Sequence, residues 1–231
     1  MKKGLIIIFL CFVKLAVGQA INQFDEQGKR HGVWKKVFDG TTVLRYEGEF
    51  NHGKETGLFK YYKYIDKQAS LTATKQFHED DNKAYVTFYT SKGKVISEGM
   101  MHGKIYIGEW KYYQKNSNQL LILEHYNAQG LLEGDRFVYY ENGQIAEKQF
   151  YSKGVLEGLT VLYSEKNVVL KVFNYVNGEL HGLSKFYNPK GDLILEGYYK
   201  SGAKHGVWKY YENGKLIEEK NFANKPKQKS N

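Results

Sequence analysis

Imidazole is both a metal ligand and a base that titrates near neutral pH, so the seven histidines are the first candidates for chemistry. Five of them, His31, His52, His102, His181 and His205, stand directly before a glycine. A zinc site needs three or four ligands converging at bonding distance. No His-x-x-x-His pair supplies them, and the single cysteine, Cys11, lies close to the start of the chain. The spacing of the five histidines follows a repeat and points to a turn position that tolerates polar residues. Carboxylates pair at Asp25-Glu26, Asp80-Asp81 and Glu218-Glu219, while Glu98, Glu124, Glu147 and Glu196 recur at corresponding places of the repeat. A glycosidase uses one such pair. A carboxylate that recurs reads instead as a cross-strand partner for lysine. No serine lies in a Gly-x-Ser-x-Gly setting, and the glycines lead into strands rather than helices, unlike a phosphate loop. The expectation is no catalytic residue, no cofactor and no metal, and a chain that is not an enzyme.

Aromatic side chains are the remaining resource. Tyr61, Tyr112, Tyr139 and Tyr210, with Trp34, Trp110 and Trp208, are expected to form a ladder along one sheet face. Stacked rings hold repeats together at roughly 0.5–1.5 kcal/mol per pair beyond burial. The same rings stack on sugars and apolar side chains, so these seven residues are the candidate binding face.

The elements that must carry this ladder are short strands. The chain holds 20 Tyr, 13 Phe and 24 Gly but only 2 Pro, a balance of pleated-surface residues and turn formers. A leading position recurs at Gly28, Gly53, Asp81, Gly103, Gly130, Gly154, Gly178 and Gly202, with a step of 24 residues over the last three intervals. A second glycine follows at 32, 57, 108, 134, 158, 182 and 206. An aromatic-rich segment, a turn and an apolar-acidic segment complete each unit. The third unit is the most eroded, Asp81 and Tyr85 replacing its two glycines. Each unit reads as a β-hairpin, since no 3.6-residue apolar period survives the glycine spacing.

Asn142-Gly143 and Asn213-Gly214 carry the signature of two-residue type I′ turns. With Asn213-Gly214 in that turn, Tyr211 faces Leu216, Tyr210 faces Ile217 and Lys209 faces Glu218. Residues 64–70 and 114–119 read as longer hairpin loops. Isolated hairpins are marginal in water, so the units are expected to stack as an all-β, elongated, twisted antiparallel meander of eight hairpins and about sixteen strands.

The ends differ from the array. Lys2 and Lys3, the apolar run Leu5 to Val13 and the small residues Ala16-Val17-Gly18 form a secretion signal. The expected division is 1–18 signal peptide, 19–27 lead-in, 28–224 repeat array and 225–231 basic tail. Export places the chain in the periplasm, at the cell surface or outside the cell. Cleavage would remove Lys2, Lys3 and Lys14, lowering the net charge from +9 to +6. A mild positive charge suits anionic lipid or envelope polymers. Export and the lack of a clustered basic stripe argue against nucleic acid.

The segment Tyr46-Glu47-Gly48-Glu49-Phe50-Asn51-His52-Gly53-Lys54-Glu55-Thr56-Gly57 resembles the MORN repeat, and Glu196 to Gly202 with Gly206 is a looser match. The chain is similar to the bacterial MORN-variant type over about residues 28–224. That resemblance implies a β-hairpin array and a binding role: a scaffold for a partner protein, an envelope-polymer or membrane-surface module, or an antitoxin-like partner of a toxin. It identifies no partner.

Overall fold

The computed structural model describes residues 20–78 and 81–222. The expected signal at 1–18, Asp80 and the tail at 225–231 lie outside the described residues. No helix occurs among the described residues.

Nineteen strands form one antiparallel sheet. The first half runs β1 (Gln23–Phe24), β2 (Arg30–Val37), β3 (Leu44–Asn51), β4 (Lys54–Ile65), β5 (Gln68–Phe77), β6 (Lys83–Tyr89), β7 (Val95–His102), β8 (Ile105–Tyr113) and β9 (Leu120–Tyr126). The second half runs β10 (Gly134–Tyr139), β11 (Ile145–Ser152), β12 (Val155–Leu156), β13 (Gly158–Tyr163), β14 (Val169–Val176), β15 (Glu179–Leu180), β16 (Gly182–Tyr187), β17 (Leu193–Lys200), β18 (Ala203–Glu212) and β19 (Lys215–Asn221). β12 and β13 both pair with β11, and β15 and β16 both pair with β14. Each pair is one interrupted strand, so β2 to β19 make sixteen rows and eight hairpins, the expected number. The ladders follow chain order from β1 to β19, and none joins the last strand to the first. The sheet is an open meander.

The eight units share a feature that the sequence reading missed. Each hairpin carries a β-bulge at the same place in the repeat, on its second strand. Tyr211 pairs with Leu216 as expected, but Tyr210 then pairs with Glu218 and Lys209 with Glu219. Ile217 is the extra residue, so the expected Tyr210–Ile217 and Lys209–Glu218 pairs do not form. The same skip leaves Arg45, Thr72, Ile96, Leu121, Ala146, Leu170 and Ile194 unopposed in the other hairpins. A bulge increases local right-handed twist, so eight of them at one period twist the whole array.

The turns also sort into two classes. Asn213 and Gly214 have φ of 49° and 74°, as a type I′ turn requires. Similar left-handed pairs link successive hairpins at His52-Gly53, Lys153-Gly154, Asn177-Gly178 and Ser201-Gly202. Asn142-Gly143 is different. Only Gly143 has positive φ, and its N–H bonds the Tyr140 carbonyl at 3.0 Å while the Tyr140 N–H bonds the Gln144 carbonyl. That is a three-residue loop, not the expected two-residue turn. Related loops begin at Asn127, Ser164 and Asn188, whose side-chain oxygens each accept backbone N–H groups two and four residues on. These side chains hold the loop in place of a tight turn. The expected loop at 64–70 is instead strand closed by Asp66-Lys67, both with positive φ. The loop at 114–119 is present and closes with Gln114 N–H on the Gln119 carbonyl. In the third unit Ala84, not Tyr85, occupies the second-glycine position, opposite Met101.

Candidate binding face

Side chains alternate between the two faces of a strand, so the register assigns each residue a face. One row crosses all eight hairpins on the same face: Trp34, Phe59, Val86, Trp110, Arg136, Thr160, Ser184 and Trp208, paired within their units with Gly48, Lys75, Gly99, Glu124, Gln149, Phe173, Gly197 and Lys220. Phe59, Val86, Trp110, Ser184 and Trp208 have no exposed surface. A sheet with no second layer reaches that burial only by packing across its own strands. The means is complementary size. Where the second strand of a unit offers glycine, the next unit fills the space with a large ring: Gly48 with Phe59, Gly99 with Trp110, Gly197 with Trp208. A Cβ on Gly99 would lie 2.6 Å from Trp110 Cδ2, and one on Gly197 would be closer still to Trp208. Where the second strand is large, at Phe173, the next residue is small, Ser184. The buried hydroxyls of Thr160 and Ser184 have no hydrogen-bond partner, a cost of about 1–3 kcal/mol each that this packing must offset.

The proposed ladder divides accordingly. Trp110 and Trp208 are fully buried and Trp34 is 9% exposed. Their indole N–H groups bond backbone carbonyls, Trp34 to Gln23, Trp110 to Met100 and Trp208 to Tyr198. The tryptophans are the floor of the core and not a contact surface. Tyr61, Tyr112 and Tyr210 lie on the same face in the adjoining row, half-buried. Tyr61 stacks on Phe59 at 6.1 Å. Tyr139 does not join them. Phe137 and Lys111 both pair with Leu123, while Val138 and Tyr112 both pair with Ile122, so Tyr139 is on the opposite face. The doubled aromatics Tyr61-Tyr62 and Tyr112-Tyr113 hid that offset.

Tyr139 belongs to a second ladder that the sequence reading missed: Tyr62, Tyr89, Tyr113, Tyr139, Tyr163, Tyr187 and Tyr211, the first paired residue on the turn side of each bulge. Their cross-strand partners are Leu71, Val95, Leu120, Ile145, Val169, Leu193 and Leu216. Three of the hydroxyls bond a carboxylate of the preceding hairpin: Tyr62 to Glu47 at 2.9 Å, Tyr113 to Glu98, and Tyr211 to Glu196 at 2.8 Å. Tyr89 pairs with the Thr74 hydroxyl at 3.2 Å. The recurring glutamates are therefore tyrosine acceptors as well as lysine partners. Burial raises the Glu47 carboxyl, but Tyr62, Lys60 and Lys35 outweigh it and hold it below the usual range. Burial and then Glu47 push Tyr62 up to about 12. Tyr113 rises for the same reasons beside Glu98, and Tyr211 rises chiefly through its bond to Glu196.

These shifts have a measurable consequence. A folded-state tyrosine pKa above its unfolded value of 10.0 means that the unfolded chain loses its protons first. Stability from the ladder is then complete below about pH 10 and is lost as pH rises toward about 12. We expect the melting temperature to fall by about 10 °C or more across that window. The double variant Tyr62→Phe, Tyr113→Phe should show a shallower fall. A melting temperature that is flat across the window in the parent would contradict the ladder's role.

Glu124 and Glu147 do not share the position of Glu98 and Glu196. They lie on the core face, where Glu124 pairs with Trp110 and Glu147 with Val138. Arg136 bonds Glu124 at 3.1 Å and Gln149 at 2.9 Å, and Gln149 bonds Glu147 at 3.0 Å. Tyr126 completes the second acceptor of Glu124 at 2.6 Å. This closed polar network interrupts the aromatic floor between the fourth and fifth hairpins, and its groups satisfy one another.

Of the histidines singled out by the repeat, His31 and His52 meet. His52 is in a turn, but His31 and His205 are in strands. His52 Nδ1 lies 2.6 Å from Asp25 Oδ2, and the His31 ring rests on it at 4.7 Å. The Asp25 carboxyl is held below its usual range, first by the Lys29 backbone N–H and then by His52. The contact ties the loop before β2 to the first inter-hairpin turn. Among the described residues no group of three or more His, Cys, Asp or Glu could hold a metal ion.

A cleft on the core face of the first two hairpins is lined by Arg30, Lys36 and Arg45 above Trp34, Tyr46 and Tyr61. Sequence reading did not single it out, because Arg30 and Lys36 are on one strand, Arg45 is the bulge residue of the next, and only the register puts all three on one face.

Comparison with known proteins agrees with this architecture. A family model described as MORN repeat variant matches residues 132–153, 180–201 and 204–224. Each match covers hairpin strands of the kind seen throughout the array. No curated protein matches the chain. Among solved structures, a crystal structure of an S. aureus TarM mutant in complex with Fondaparinux, alpha-GlcNAc-glycerol and UDP is similar over 54% of this chain at 11% identity, with a TM-score of 0.28. The chain spans 19% of the length of that protein. The three matches place MORN-variant repeats between residues 132 and 224, and the same bulged hairpin recurs in chain order through the rest of the described array.

Proposed function

We propose that the chain is an exported, non-catalytic scaffold whose outer sheet face binds a partner protein. MORN repeats are commonly protein- or membrane-binding modules. The observation that carries the protein reading is the face opposite the tryptophans. Phe150, Leu159 and Tyr198 stand there 41%, 57% and 53% exposed, and the register sets Phe150 beside Leu159 and Leu183 beside Tyr198. Exposed apolar groups rimmed by charge mark interaction surfaces, and here the rim is Lys185, Glu196 and Lys209. Export is supported by Lys2, Lys3, the apolar run to Val13 and Ala16-Val17-Gly18.

The test is co-purification from the envelope and medium of producing cells. Wild-type protein beginning at or near Gln19 should carry a stoichiometric protein partner. The variant Phe150→Lys, Leu159→Lys, Tyr198→Lys should lose it with its melting temperature kept. Equal recovery of the partner by both proteins would contradict the assigned face, and a retained Met1 would contradict export.

A further inference from the structure

We propose that the cleft in the first two hairpins is a binding site for a phosphate-bearing ligand. The internal repeat is the reference for this site. Lys36 takes the place in its hairpin that every other hairpin gives to a ring or an aliphatic side chain, from Tyr61 to Tyr210. Arg45 is the bulge residue, and the other seven bulge residues are uncharged. Both substitutions put a cation where the array elsewhere puts a residue that packs, and both converge on one cleft.

Arg30 completes the set and is held in position. Its guanidinium lies 4.9 Å from the Trp34 ring and 5.2 Å from the Phe50 ring, and donates to the Tyr46 hydroxyl at 3.2 Å. A stacked guanidinium loses little further freedom on meeting an anion. Among the described residues none of the three cations makes an ion pair. The one carboxylate in the lining, Glu55, accepts a bond from Tyr61 at 3.3 Å. Three cations against one carboxylate leave a charge that a doubly ionised phosphate balances, and guanidinium groups meet phosphate oxygens with paired N–H donors. The phosphoryl group can be carried on a soluble molecule or on a lipid headgroup.

This inference does not depend on the outer-face scaffold reading, and its test reads a different surface. The mature chain is titrated with inorganic phosphate and with glycerol phosphate at constant ionic strength, binding being followed by calorimetry. In a second arm it is sedimented with vesicles of phosphatidylcholine with and without phosphatidic acid. The variant Lys36→Tyr, Arg45→Ile returns both positions to residues that the repeat itself uses, so it should fold with an unchanged or higher melting temperature. Saturable phosphate binding by the wild type, weakened about tenfold or more in the variant, is the expected result. Vesicle binding that needs phosphatidic acid and is lost in the variant supports the site and puts the phosphate on a lipid. Phosphate binding without vesicle binding supports it and puts the phosphate on a soluble ligand. Absence of saturable binding in both arms, equal binding by the variant, or succinate binding as tightly as phosphate would overturn the proposal.

Discussion

Trp208→Ser is expected to cost the last hairpin about 3–5 kcal/mol, and Gly197→Phe alone to cost at least about 1–3 kcal/mol. The two together should recover most of the loss. The reason lies in the core row. Trp208 fills the space left by Gly197, and any Cβ on that glycine enters the indole ring. The double variant sets a phenylalanine between Ser184 and a serine at 208. The array already contains that arrangement one unit earlier, where Phe173 pairs with Thr160 and precedes Ser184. Phe173 makes an edge contact with Phe186 at 5.4 Å, and the register gives a new phenylalanine at 197 the corresponding neighbour in Tyr210. Urea unfolding of the parent, both single variants and the double variant gives the coupling, expected at about 2 kcal/mol or more. Additive losses would mean that the row is not governed by paired size.

Much of the fold was legible because its signals are local and recur. Seven of the eight leading positions mark the turns between hairpins, Gly28 marks the loop before β2, and Asn213-Gly214 has the backbone its residue types demand. The bulges were not legible. A bulge adds a residue without changing the apolar alternation on either side, so Ile217 read as an ordinary partner of Tyr210. Tyr139 was placed with the wrong row for a separate reason: neighbouring strand residues alternate faces, and the doubled aromatics hid that Tyr139 corresponds to Tyr113 and not to Tyr112. Burial was also out of reach. Trp110 and Trp208 look like a binding stripe in sequence, and only the opposing glycines, Gly99 and Gly197, show that they are core. A signal was present: a glycine after glutamate, as in Glu98-Gly99 and Glu196-Gly197, occurs eleven residues before a tryptophan. The cleft of Arg30, Lys36 and Arg45 was legible only as a departure from the repeat, which requires the correct register first.

In a stacked array each hairpin depends on its neighbours alone. Deleting one whole period, Gly154 to Asn177, tests this. Lys153 and Gly154 have φ of 49° and 81°, and Asn177 and Gly178 have 52° and 78°, so joining Lys153 to Gly178 rebuilds the same turn. Glu133 still accepts the Lys153 N–H at 2.8 Å. Ser184 takes the place of Thr160 beside Gln149, one small residue for another. The Tyr140 hydroxyl, which bonds the Tyr163 carbonyl at 2.7 Å, meets the Tyr187 carbonyl instead. A deletion of half a period, Val168 to Glu179, removes β14 with its turn and leaves β13 facing β16 in the wrong direction. Thermal unfolding of the two deletions, followed by circular dichroism, separates the cases. The whole-period deletion should keep the β spectrum and melt cooperatively within about 10 °C of the parent, while the half-period deletion should lose its cooperative transition. Equal loss of folding in both would contradict the modular array.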